Sequence, residues 1–390
     1  MSNYSTSDVV YSNDSCPTIE LSVDAAESLL YTDLQVAIFR FVLPIVFVFG
    51  VLNNVAFIYV VVHSQSMQTI TNKCLVHLSI ADLLFLIVAI GERFWSYLYS
   101  PITPDDTPYG VVGCSTFKLA RSASYFASLA FVTVVSIERF NAVCRYQRKR
   151  DATTYRNIII GCWLASFVLS LTFIPSVSIL HCNTLQWPEE PPFQDFGDRE
   201  WLICLPQSDW QATYTDAMQA IPFFFLLIAN LCLYVCIIRG LNAAVKRADL
   251  TGKRLRNTAI RNQIAWMLIA NGVIFFTLLS PREISFIIKS TLAPSATHTD
   301  FYTNISEITS ILSYINSGIN PIVYSILSSK HRKAFQDAFL PEKCSPRPEK
   351  SANCAGYLQP IVGQTDETSM GYRHSPRLGV RTERTETETV

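Results

Sequence analysis

Five stretches of this chain contain no charged side chain: Phe41–Val62, Ile158–Leu180, Ala217–Ile238, Asn262–Pro281 and Ile308–Ser329. A bilayer core of about 30 Å is crossed by a helix of about 20 apolar residues, and each stretch is that long. Two more reach the length with isolated charges. Cys74–Ile90 is interrupted by Asp82 and by His77, and Ser122–Ile137 is bounded by Arg121 and Glu138 and extends as a helix on both sides. Backbone groups have no water partner in hydrocarbon, so each span must satisfy them internally as a helix. The chain is 49% apolar and only 16% charged, a balance of integral membrane proteins. The expected fold is therefore an all-α membrane protein with seven spans.

The formal net charge is zero, yet the charges are unevenly placed. Arg145, Arg148, Lys149, Arg150 and Arg156 follow the third span; Arg239, Lys246, Arg247, Lys253, Arg254, Arg256 and Arg261 follow the fifth. Basic short loops mark the cytoplasmic side. Opposite them stand Asp8, Asp14, Glu20, Asp24, Glu27 and Asp33, then Asp105 and Asp106, then Glu189, Glu190, Asp195, Asp198 and Glu200. The N-terminus is thus expected outside and the C-terminus inside the plasma membrane. Glycosylation sequons at Asn3, Asn13 and Asn304 fall on the outer side. No secretory leader is read in residues 1–34, so the first span is expected to direct insertion. Cys16, Cys114, Cys182 and Cys204 are on the oxidising side and allow three pairings.

Two buried polar features need an explanation. Asn316-Ser317-Gly318-Ile319-Asn320-Pro321-Ile322-Val323-Tyr324 puts an Asn-Pro pair inside a span, where proline removes a helical hydrogen bond. Asp82 puts a carboxylate at mid-membrane, at a cost of about 2.5–3.5 kcal/mol. Asn54, Ser128, Asn316, Ser317 and Asn320 stand at comparable depth and are its candidate partners.

Over residues 37–340 these motifs resemble the rhodopsin-type (class A) G-protein-coupled receptors, in the neuropeptide-receptor group. The resemblance implies a bundle over 37–327 after an extracellular glycosylated segment 1–36. An amphipathic eighth helix over 328–340 and a disordered cytoplasmic tail over 341–390 complete the chain. It also implies a sodium pocket of Asn54, Asp82, Ser128, Asn316, Ser317 and Asn320; interhelical hydrogen bonds alone would give the same residues a role without an ion. Glu138-Arg139-Phe140 resembles the family's acidic-Arg-aromatic triplet. With Phe275, Pro281, Asn320, Pro321 and Tyr324 it forms the implied activation switch, which frees Arg139 for a heterotrimeric G protein when helix six moves. Cys114–Cys204 is the favoured disulfide, Cys182 being the rival partner for Cys114; a Cys16–Cys182 bridge would complete the set. Trp163 and Pro222 also stand where the family has them. Leu279 replaces the family tryptophan before Pro281, Asn230 replaces a tyrosine, Arg261 replaces an acidic residue, and His331 replaces a phenylalanine. A weaker resting lock and high basal signalling are expected.

Glu92, Arg93, Lys118, Arg121, Tyr214, Arg282, Glu283, Ser310 and Tyr314 are the candidate ligand residues, facing the outer half of the bundle. The same charges could equally pair with one another. Arg121 replaces the aspartate of amine receptors, and Tyr314 the retinal lysine of opsins. The outer loop His181–Asp216 is long, acidic and aromatic. Negative surfaces steer cations and aromatic rings suit peptide contact, so the expected ligand is a neuropeptide with basic residues or an amidated end. A small-molecule ligand, or a non-coupling scavenger receptor, is the alternative. No zinc-ligand or nucleophile motif lies in the spans, so no enzyme is expected. No cofactor beyond an allosteric sodium at Asp82 is expected, and no nucleic acid. Cys344 follows the amphipathic stretch as a palmitoylation site or a free thiol; the Ser/Thr-rich tail suits arrestin after phosphorylation, and Glu388-Thr389-Val390 suits a PDZ groove.

Overall fold

The computed structural model describes residues 16–145, 152–177, 179–206, 208–251, 255–291 and 300–340. The sequons Asn3 and Asn13, Cys344 and the tail calls lie outside them. Seven long helices form the bundle: α1 (Asp33–His63), α2 (Ile70–Tyr99), α3 (Gly110–Phe140), α4 (Ala152–Ser170), α5 (Asp209–Thr251), α6 (Leu255–Thr291) and α7 (Asp300–Leu327). A short α8 (Ser329–Phe339) follows. Phe41, Ile45, Leu52, Leu98 and Phe225 are each more than 60% exposed. In water such a surface would aggregate; in a bilayer it faces lipid.

Local sequence explains most helix ends and irregularities. Thr32 and Gln35 form a reciprocal capping box that starts α1. A π-helical turn over Ile38–Val42 ends two residues before Pro44, which has no N–H to continue the regular ladder. Thr69 caps α2 through the Asn72 N–H, and Ser328 caps α8 through the His331 N–H. Gly110, at φ 59°, turns the chain into α3 through the left-handed region that favours glycine. α4 tightens to a 3₁₀ segment over Leu171–Val177, around Pro175. Pro222, Pro281 and Pro321 lie inside α5, α6 and α7.

Six of the long helices are apolar enough to be spans by hydropathy alone; α7 is not among them. The reason lies on one face. Thr309, Ser310, Ser313, Asn316, Ser317 and Asn320 are buried at helical spacing, whereas Ile308 and Ile326 point outward. α7 turns its polar stripe toward the other helices and its apolar one toward lipid. Gly50 of α1 and Gly318 of α7 permit the close contact: a Cβ on Gly318 would stand 3.0 Å from the Gly50 Cα.

At the end of the bundle opposite Arg139, a cap adds β-structure to an otherwise helical chain. β1 (Thr18–Glu20) pairs in parallel with β2 (Ile179–Gln186), which pairs antiparallel with β3 (Arg199–Leu205). Cys16 is bonded to Cys182 and Cys114 to Cys204. Beneath the sheet Ala26, Ile102, Leu185, Trp187 and Phe193 form a hydrophobic cluster separate from that of the bundle. Part of the segment read from sequence as a polar N-terminal stretch thus has its own core, because its scattered apolar residues meet those of the loop after α4.

Candidate functional site

Candidate functional side chains occur at three levels along the bundle. At the cap end a cavity of about 290 Å³ opens between α3, α5, α6 and α7. Lys118 and Arg121 of α3, Asp216 of α5 and Arg282 of α6 line it, above Tyr125 and Gln219. Arg121 donates to the Glu92 carboxylate at 3.1 Å. Arg282 donates to the Ser310 hydroxyl and its guanidinium lies 5.1 Å from the Phe286 ring centre. Glu283 is fully buried, and one of its oxygens accepts from Tyr125 Oη at 2.8 Å and Gln219 Nε2 at 3.1 Å. That carboxyl joins α3, α5 and α6 next to the Pro281 bend, one turn beyond buried Leu279.

The sequence candidates divide here. Lys118, Arg121 and Arg282 line the cavity; Glu92, Glu283 and Ser310 support those that do. Arg93 is engaged elsewhere: its Nη2 contacts both Glu307 oxygens at 2.5 and 2.6 Å, and it stacks over Phe39. Tyr314 is buried with its ring near Phe85. Tyr214 lies outside the cavity lining, 38% exposed beside Trp210, because the cavity-facing positions of α5 are Ala212, Thr215, Asp216 and Gln219. Tyr125 and Gln219 were not singled out from sequence; a hydroxyl and an amide in apolar spans were the available signal. Above the cavity, Asp106 accepts from the Cys204 N–H at 2.9 Å, and burial pushes its carboxyl above the usual carboxylate range.

Halfway down, Asp82 is fully buried. Ser128 Oγ donates to its Oδ1 at 2.8 Å and Asn320 Nδ2 to its Oδ2 at 2.7 Å. Asn54 does not join this pair directly: its amide donates to the Ser317 carbonyl at 2.8 Å and the Gly50 carbonyl at 2.9 Å. Asn316 is buried, and its Oδ1 has no hydrogen-bond partner. A carboxylate held by two neutral donors, with amide and hydroxyl oxygens around it, is a hard donor set that suits a small hard cation.

At the far end Arg139 Nε lies 2.6 Å from Glu138, and its Nη2 donates to the Thr71 hydroxyl, which itself donates to Glu138 at 2.9 Å. Arg139 is therefore tied to α2. The side chain of Arg261 lies outside the described residues. Phe140 packs against the cluster of Tyr234, Ile237, Leu241, Ala265 and Ile269 that joins α5 and α6. Phe275 is buried beside Phe276. Tyr324 packs on Phe57 and against His331 of α8. Asn230 donates to Thr133 Oγ1 at 3.0 Å, joining α5 to α3. Asn304 lies in the second turn of α7.

A seven-helix membrane bundle, with a charged cavity at one end, a buried aspartate at mid-depth and a carboxylate-clamped arginine at the other end, defines a transmembrane receptor. Residues 53–324 match the model of the 7 transmembrane receptor (rhodopsin family), and the chain belongs to that family. It is similar to human somatostatin receptor type 3, with 26% identity over 331 residues, covering 83% of this chain and 71% of the relative. It is 25% identical to human neuromedin-U receptor 1, covering 86% and 81% of the two chains. Human neuropeptides B/W receptor type 2 is 26% identical, covering 74% and 81%.

Proposed function

We propose that the chain is a plasma-membrane receptor for an extracellular neuropeptide that activates heterotrimeric G proteins by movement of α6, with the cap outside and the tail in the cytoplasm. The observation that carries the reading is the alignment of three levels in one bundle: a polar cavity, the Asp82 network and the Arg139 clamp. α3 supplies a residue to each level. α6 lines the cavity with Arg282 and packs its other end through Ala265 and Ile269 near Phe140. Displacing α6 at the cavity therefore loosens the cluster beside Arg139. The printed names of the relatives, receptors for somatostatin, neuromedin U and neuropeptides B/W, support a peptide ligand. The acidic cap would draw basic residues of that peptide toward the mouth. Agonist-driven nucleotide exchange on a panel of G proteins, with a peptide library, tests the reading. A peptide that drives exchange is expected; a potent uncharged lipid agonist, or binding with no exchange on any G protein, overturns it.

Sodium belongs to the same proposal. Asp82, Ser128 and the amide oxygen of Asn316 would hold the ion, which would offset the buried carboxylate and favour the inactive bundle. Agonist affinity is expected to fall as sodium rises, and Asp82→Asn is expected to abolish that dependence. A receptor indifferent to sodium before mutation sinks the ion reading. In the tail, palmitate at Cys344, arrestin binding after Ser/Thr phosphorylation and a PDZ contact at Val390 complete the proposal.

A further inference from the structure

The cations around the cap-end cavity differ in how anions meet them. Lys118, Arg121 and Arg282 bring three cations to its wall from α3 and α6, against one wall carboxylate, Asp216. Arg121 is met by Glu92 through one nitrogen. Arg282 is the telling group. Its interactions are with a neutral hydroxyl, Ser310, and an aromatic face, Phe286. Among the described residues it has no carboxylate in ion-pair range. The neighbouring acid, Glu283, is directed instead to Tyr125 and Gln219 and has no exposed surface. A guanidinium held between helices without an anion keeps a desolvation cost that a bound anion would offset, and its fork of donors fits a carboxylate.

We propose that this cavity contains a carboxylate subsite: the ligand inserts an acid group against Arg282, facing Lys118 and Arg121 across the cavity. This rests on the receptor reading above and deepens it, replacing the amidated end expected from sequence by an acidic one. The two charge patterns then act in sequence. The acidic cap gathers the basic part of a peptide, while the cationic cavity admits its acidic end. An acid bridging Arg282 on α6 to the cations of α3 draws together the two helices at the cap end, a movement that the Pro281 bend can convert into displacement at the other end of α6.

The test uses the full-length receptor in cell membranes and a panel of synthetic peptides, each made as the free acid and as the C-terminal amide, with nucleotide exchange and binding as readouts. For an active sequence the free acid is expected to exceed the amide by about 30-fold or more, the range found when one member of a buried charge pair is removed. On Arg282→Gln the free acid and the amide are expected to fall within about threefold of each other, whatever the absolute potency, while Arg282→Lys restores part of the preference. If the loss instead follows Asp→Asn or Glu→Gln changes within the peptide, the subsite takes a side-chain carboxylate. A peptide agonist that is as potent when amidated and when stripped of every acid overturns the carboxylate inference and leaves the peptide-receptor reading standing. A non-peptide agonist overturns the peptide reading; the carboxylate inference then stands or falls on whether that agonist needs an acid group and Arg282.

Discussion

A single hydroxyl decides how Arg139 is held. Thr71 accepts from the guanidinium and donates to Glu138, so the clamp closes on α2. Thr71→Val keeps the shape and removes both bonds; hydrogen bonds to charged groups contribute about 1.5–3 kcal/mol, so basal nucleotide exchange is expected to rise about fivefold or more. Unchanged basal exchange at equal surface expression counts against the clamp. His331 is the second informative residue. Its ring stacks on Phe57, its Nδ1 meets Ser328 Oγ at 2.9 Å, and burial, with Lys330 nearby, lowers its pKa to about 4. An unfolded imidazole titrates near 6.5. The folded chain therefore binds fewer protons between these values, and the stability is full above pH ~6.5 and declines as pH falls toward 4. In detergent, thermal unfolding of the unmutated receptor should shift downward from pH 7.5 to pH 5 by more than that of His331→Phe. Equal shifts would show that the ring does not titrate as described. Asp82 was legible in the sequence because a carboxylate in an apolar run demands partners. Thr71, Tyr125 and Gln219 were not, since a neutral polar side chain in a span signals only that it needs a partner and can find one on its own helix as readily as on a neighbour.

Helices pack here by removing side chains as much as by adding them. Gly50 and Gly318 bring α1 against α7 closely enough for Asn54 to reach the Ser317 carbonyl. Gly318→Val would drive a branched side chain into the Gly50 backbone and is expected to cost about 1–3 kcal/mol, seen as a lower thermal midpoint. Gly91 is the internal control: a Cβ there meets nothing within 4 Å, and Gly91→Ala should stabilise by up to about 1 kcal/mol from helix propensity. A midpoint that falls equally in both would remove the contact argument. α7 shows what periodicity could and could not give. Its length and proline were plain, and its polar spacing marked one buried face. Which helices receive that face, α1 at Asn54 and α2 at Asp82, is a property of the packed bundle.

For the whole molecule, two disulfides and a strand pairing tie the cap to the bundle. The Cys16–Cys182 bond and the β1–β2 pairing fasten the N-terminal segment to the loop after α4, while Cys114–Cys204 fastens that loop to α3. Cys16→Ser is expected to leave surface expression intact and to speed cleavage by added protease around 18–32; Cys114→Ser, which frees the loop from the bundle, is expected to reduce surface expression itself. Protection of the segment in Cys16→Ser equal to that of the unmutated chain would show that the sheet alone holds it.

The sequence by itself determined the membrane class, the number of spans, the receptor family and the acid and arginine at mid-depth and at one end. The class, the spans and the conspicuous charges follow from length, hydropathy and charge along a line, because hydrocarbon penalises every polar atom that lacks a reason to be there; the family follows from the resemblance of the motifs at Asp82, Glu138-Arg139-Phe140 and Asn320-Pro321. Only the tertiary structure decided that, among the described residues, Arg93 forms an ion pair and Arg282 does not, that Glu283 joins three helices, that Arg139 closes on Thr71 and that the N-terminal segment shares a core with a loop far along the chain. Those outcomes depend on distances between helices, and a pairing energy that falls steeply with separation is set by packing, not by position in the chain.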